Sequence, residues 1–94
     1  MITHIVLFRF NDQKLVPAAK ELLLSMAGKI PQLRHLEAGV DVIRSERSHD
    51  LALVTRFDSL DDLQAYQVHP FHAGEVVPFM KANCNSVVAV DYES

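Results

Sequence analysis

The chain has 94 residues, 49% of them hydrophobic, and a formal charge of −3 from nine Lys and Arg against twelve Asp and Glu. That length leaves room for one core, so residues 1–94 read as a single domain, and the composition is that of a packed chain rather than a disordered one. The cations are scattered instead of gathered into a basic stripe, which argues against nucleic acid and against an anionic membrane surface as partners.

The first element is a strand over residues 2–10. Ile2, Val6, Phe8 and Phe10 share one face with His4, while Ile5 and Leu7 share the other. Asn11-Asp12 breaks the run, as turn residues do. Ala19, Leu22, Leu23, Met26 and Ile30 then repeat at helical spacing, with Pro17 suited to the first turn and Gly28 to the stop before Pro31. Two strands follow. Leu36, Ala38, Val40 and Val42 alternate with polar or small residues; the polar stretch 44–49 is a hairpin loop; and residues 50–57 put Leu51, Leu53 and Phe57 on one side, Ala52 and Val54 on the other.

Ser59 is placed to cap a second helix, whose buried side is expected to hold Leu60, Leu63 and Tyr66 or Gln67. His69-Pro70 interrupts it, because the residue before proline disfavours helix. A further helical piece over residues 70–81 contains Pro78, whose ring presses on the carbonyl of Gly74 and predicts a bend or an early end. Asn83-Cys84-Asn85 reads as a turn, and residues 87–92 as a last, apolar strand. Cys84 is the single cysteine, so no intrachain disulfide is available. No run approaches the ~20 apolar residues of a membrane span, and the opening residues lack the basic flank and cleavage site of a secretion signal. The expected location is the cytoplasm.

The order is β-α-β-β-α-β, a ferredoxin-like α+β fold: a four-stranded antiparallel sheet with two helices on one face. The other face would normally be polar. Here it carries Ile5, Leu7, Ala52, Val54 and either Val87 or Val88. A patch of that kind marks an interface, and the economical solution is a homodimer packed through the open sheet face about a two-fold axis.

The chain resembles the stress-responsive α/β-barrel domain (Dabb) family of the dimeric α+β barrel superfamily. The resemblance rests on His4-Ile5-Val6-Leu7-Phe8, Gly28-Lys29-Ile30-Pro31, the stretch 45–54, Phe57-Asp58-Ser59-Leu60-Asp61, Tyr66-Gln67-Val68-His69-Pro70-Phe71-His72 and Val90-Asp91-Tyr92. That family includes a plant polyketide cyclase that closes a ring by aldol condensation, and its superfamily includes monooxygenases and lactone isomerases. The resemblance implies catalytic roles for Tyr66 and His72, with His69 and His4 beside them as substrate-binding residues.

Imidazole titrates near neutrality and serves as general acid or base, and a phenol can hold an oxygen on which charge develops. Three functions compete. One is cofactor-free proton transfer on a small apolar carbonyl compound, by an aldol-type cyclase, isomerase or lyase. Another is a non-catalytic, stress-related binding dimer in which the histidines are structural. The third is a cofactor-independent monooxygenase. His69 is then a helix-end residue that satisfies loose carbonyls, and His4 either a hydrogen-bonded core residue or the floor of a pocket. No cofactor is expected: three glycines make no phosphate loop, and the histidine spacing is not that of a metal site. Arg44, Glu46, Arg47 and Asp50 read as a solvated hairpin with weak ion pairs, with a dimer contact as the second reading. Cys84 reads as a small residue in a turn, and Glu75 or Asp91 as an exposed acid that could hold a loose cation.

Overall fold

The alternation along β1 (Ile2–Phe10) places it at the centre of the sheet, where both neighbours can cover its backbone. A computed structural model describes residues 1–94. After β1 the chain passes through a 3₁₀ turn, Gln13–Leu15, into α1 (Val16–Leu24), β2 (His35–Val40), β3 (Leu51–Phe57) and α2 (Leu60–Val68). A π-helical turn, His72–Val76, leads into α3 (Val77–Asn83) and β4 (Cys84–Glu93). The sheet is antiparallel in the order β2-β3-β1-β4. The helices lie on one face, over a core that includes Val6, Phe8, Phe10, Leu23, Met26, Leu53, Phe57 and Tyr66.

Register decides which side chains share a face. Ile5 pairs with Val54 and Val90, and Leu7 with Ala52 and Val88. Those residues therefore line the face away from the helices, where Leu7, Val88, Val90 and Tyr92 stay exposed. Val88, rather than Val87, belongs to this patch; Val87 pairs with Phe8 on the helix side.

Local chemistry sets several boundaries differently from the sequence pattern. α1 ends at Leu24, not near Gly28, because Ser25 Oγ donates to the Leu22 carbonyl at 2.6 Å and the next amides form shorter-range bonds to Leu23 and Leu24. Met26 and Ile30 still reach the core from the turns that follow, and Gly28 takes the left-handed conformation, φ 77°. Leu60 is 60% exposed rather than buried: it is the first residue of α2, directly after the Ser59 cap, and points outward. Tyr66, not Gln67, faces the core. β2 stops at Val40, and Val42 is exposed, since the chain turns where Asp41 accepts from the Arg44 amide. Asn83-Cys84-Asn85 is not a turn; α3 runs directly into β4, and Cys84 opposite Phe10 begins the strand at a register shift.

Pro78 has no N–H to offer the Gly74 carbonyl. The chain absorbs this by winding one extra residue per turn, with the Val77 amide donating to the His72 carbonyl, and then restarts as α3 with proline in its first turn. The expected bend at Pro78 is thus a π-helical turn one step earlier.

The loop cluster around Asp50 is also corrected. Asp50 is 2% exposed, and its carboxylate accepts from the Phe10 amide at 2.7 Å, from Gln13 Nε2 at 2.9 Å and from the Arg44 guanidinium at 3.0 Å. Burial alone would raise this carboxyl; the hydrogen bonds from Phe10, Gln13 and Arg44, and the Arg44 charge, outweigh it and hold the carboxyl below its ordinary value. Arg44 reaches this position with a left-handed backbone, φ 61°. Asp50 thus pins the β2–β3 loop to the end of β1, while Arg44, Glu46 and Arg47 remain exposed, as expected of a solvated hairpin.

Candidate functional site

A cavity of about 300 Å³ opens between the sheet and the segment that runs from the π-helical turn through α3. Nine of its twelve lining residues are hydrophobic, Tyr66 counted among them for its ring, so the few polar groups on its wall stand out. Val6, Phe8 and Leu53 form the floor, Val76, Val77 and Met80 the roof, and Val87 and Ala89 the outer side. The polar members are His4, Tyr66, His72 and Lys81.

Strand alternation turns His4 toward the helices. Its register partner on β4 is Asp91, so the two side chains leave the sheet on the same face, and His4 Nδ1 is hydrogen-bonded to the Asp91 carboxylate. Asp91 is therefore the partner of an imidazole. A carboxylate only accepts, so Nδ1 carries the proton of this hydrogen bond and Nε2 is the ring nitrogen left to face the cavity.

Tyr66 is fully buried in α2, with its ring 4.9 Å from Phe57, 6.1 Å from His4 and 4.2 Å from His72, centroid to centroid. Its hydroxyl is buried without a hydrogen-bond partner in the protein. Burial pushes the phenol well above its ordinary range. Tyr66 thus stays neutral and can donate a hydrogen bond, but it cannot act as a base near neutral pH.

His72 opens the π-helical turn, and its Nδ1–H donates to the Gln67 carbonyl at 3.1 Å. Burial lowers its pKa; the Gln67 carbonyl works against this, and the imidazoles of His4 and His69 add to it. The main cause is therefore burial, not the positive end of a helix. His72 presents a neutral ring with the Nε2 lone pair free, which is the form a general base needs.

His69 does not line the cavity. It ends α2, and its Nδ1 accepts from the Phe71 amide at 3.1 Å while its carbonyl accepts from the Ala73 amide at 2.8 Å. Its own amide donates to the Tyr66 carbonyl at 3.2 Å, so His69 satisfies one loose carbonyl at the end of α2 as expected and also caps the start of the next helical segment. The structure thus brings His4, Tyr66 and His72 together and leaves His69 in the scaffold behind them.

Sequence pattern missed Asp91 and Lys81 as members of the site. Asp91 becomes visible only through the β1–β4 register, and Lys81 only through the fold of α3 over the sheet. A larger groove, about 520 Å³, lies where the open-face residues Leu7 and Ala52 meet the β2–β3 loop. Its lining includes Asp41, Arg47 and His49, but no buried unpartnered polar group. No helix is long and apolar enough to cross a membrane.

A βαββαβ chain with helices on one sheet face and an apolar second face defines a ferredoxin-like α+β protein, similar to solved structures described as dimeric. More narrowly, the chain belongs to the stress responsive A/B barrel domain family, whose model matches residues 2–94. It is 32% identical over 81 residues to an uncharacterised protein of Streptomyces coelicolor, covering 81% of this chain and 84% of that one. A dimeric protein of ferredoxin-like fold from Bacteroides fragilis superposes with a TM-score of 0.87 at 32% identity, covering 99% of this chain and 95% of that one. A hydroxynitrile lyase from Passiflora edulis shares the fold, with a TM-score of 0.83 at 18% identity over 97% of this chain and 90% of that one.

Proposed function

We propose that this protein is a homodimer, joined through the open sheet face, whose cavity binds a small, largely apolar carbonyl compound and transfers a proton on it without a cofactor. One observation carries this: two imidazoles with hydrogen-bonded Nδ1 atoms share an apolar cavity with a buried, unpartnered phenol. His72 Nε2 takes a proton from the carbon next to the carbonyl. The electron pair of that C–H bond moves onto the carbonyl oxygen, and the Tyr66 hydroxyl donates a hydrogen bond to the oxygen as charge builds. His72 then returns the proton to carbon at a new position, which is an isomerisation. Alternatively, the enolate carbon attacks a second carbonyl, whose oxygen receives that proton, which is an aldol closure. Run backwards, the second course breaks a carbon–carbon bond, as a lyase does. His4, oriented by Asp91, contacts the same substrate from the floor, and His69 holds the helix break from which His72 projects.

The test works whatever the product is. The dimer is incubated in D₂O with a panel of methyl ketones and β-dicarbonyl compounds, and deuterium at the α-carbon is followed by NMR. Aldehyde release from an aromatic cyanohydrin is followed in parallel. Wild type should accelerate at least one exchange or cleavage, Tyr66→Phe should lose about a hundredfold, and His72→Ala should abolish it with the circular dichroism spectrum unchanged. A non-catalytic binding dimer is the second reading, favoured by the depth at which the Tyr66 hydroxyl is buried. In that case both substitutions lower stability, and no turnover is seen in wild type.

A further inference from the structure

The polar groups of the cavity are not spread evenly along it. His4 faces Asp91 near one end of the β1–β4 pair, and Tyr66 and His72 pack against that end. Phe8 and Val87 pair four residues further along, about 13 Å away at the rise of a strand. α3 terminates over that far end: the Asn83 carbonyl accepts from the Asn11 amide at 2.9 Å, and Cys84 pairs with Phe10. Lys81 lies two residues before Asn83, in the last turn of α3, and lines the cavity. Between the two ends the wall is apolar, with Val6, Leu53 and Ala89.

Lys81 is the one charged residue of the lining, and its ammonium forms no ion pair with any acid of the chain. The nearest carboxylate of the site, Asp91, is at the other end and already holds His4. An unpaired ammonium at the mouth of a small apolar cavity attracts an anion, and a lone lysine supplies a single point charge suited to a monoanion.

We propose that the ligand of this cavity is bifunctional: a carbonyl at the His4–Tyr66–His72 end and a carboxylate at the Lys81 mouth, joined by several apolar carbons. This rests on the proposed pocket and names its substrate class. The apolar middle excludes a hydroxylated linker, because each buried hydroxyl would lack a partner there. The volume suits a compact acid.

The probe is an oxo-octanoate whose ketone adjoins the terminal methyl, compared with its methyl ester by NMR titration of the dimer. Wild type should bind the acid about fivefold tighter than the ester, the size of one partly exposed ion pair, with a preference that shrinks as salt is added. Lys81→Met should abolish the preference of acid over ester, while Lys81→Arg should retain it. An ester that binds as well as the acid, or a preference that survives Lys81→Met, overturns the acid assignment and leaves the pocket standing. Failure of both ligands to shift any resonance of His4, Tyr66 or His72 overturns the pocket itself.

Discussion

Removing the Asp50 carboxylate should unfold the loop anchor of this domain at a cost that can be worked from its contacts. Asp50→Ala deletes an acceptor that is 2% exposed and serves three donors at 2.7, 2.9 and 3.0 Å. The Phe10 amide is a backbone donor in a buried strand end, and leaving it unpaired costs about 1–3 kcal/mol. Gln13 and Arg44 are on the solvent side, and Arg44, half exposed, rehydrates at about 0–1 kcal/mol. The loop also loses its side-chain link to the Gln13 turn, since Arg44 bridges Asp50 and Gln13, and keeps only the backbone bond from the residue 50 amide to the Phe8 carbonyl. The expected loss is about 3 kcal/mol, or about 15 °C in Tm for a domain of this size. Urea denaturation at one fixed protein concentration measures it, because a dimer's apparent stability depends on concentration. The carboxyl is held below its ordinary value near 3.8, so its contribution is complete above that pH and is lost as pH falls through the folded pKa. Wild-type stability should therefore fall in acid more steeply than that of Asp50→Ala. A loss under about 1 kcal/mol, or identical acid limbs, would refute the buried-anchor account.

Two further outcomes follow from the same physics. Leu7→Glu places a carboxylate on the open face between Ala52 and Val88; sedimentation should show dimer affinity weakened by about a hundredfold or more, because two such charges would be buried across the two-fold axis. An unchanged dimer would move the interface elsewhere. NMR titration of His72 should give a midpoint below 6.5 in the folded protein. Its unfolded counterpart protonates first as pH drops, so His72 contributes a stability loss that begins below 6.5 and that His72→Gln should remove.

Much of this molecule was legible along the chain. Alternation in β1 and β3, the Ser59 cap and the proline at position 70 carry local instructions that the fold obeys, with Ser59 Oγ accepting from the Asp62 amide. The apolar residues on both strand faces pointed to an uncovered sheet face, and the structure has one. Where the pattern misled, a longer-range bond prevailed. Asp50 looks solvated because nothing in the order of its neighbours reveals that the Phe10 amide, forty residues away, needs an acceptor. Leu60 looks buried because helical spacing alone does not say where the first turn points.

Sequence by itself determined most of the elements, their order and the identity of the imidazoles and phenol near the helix break. Tertiary structure decided which of those groups meet. Only the β1–β4 register sets Asp91 against His4, only the π-helical turn aims His72 beside Tyr66, and only the path of α3 brings Lys81 to the same cavity. Hydrophobic period and turn chemistry act over a few residues, whereas a site is assembled by strand pairing and helix packing across the whole chain.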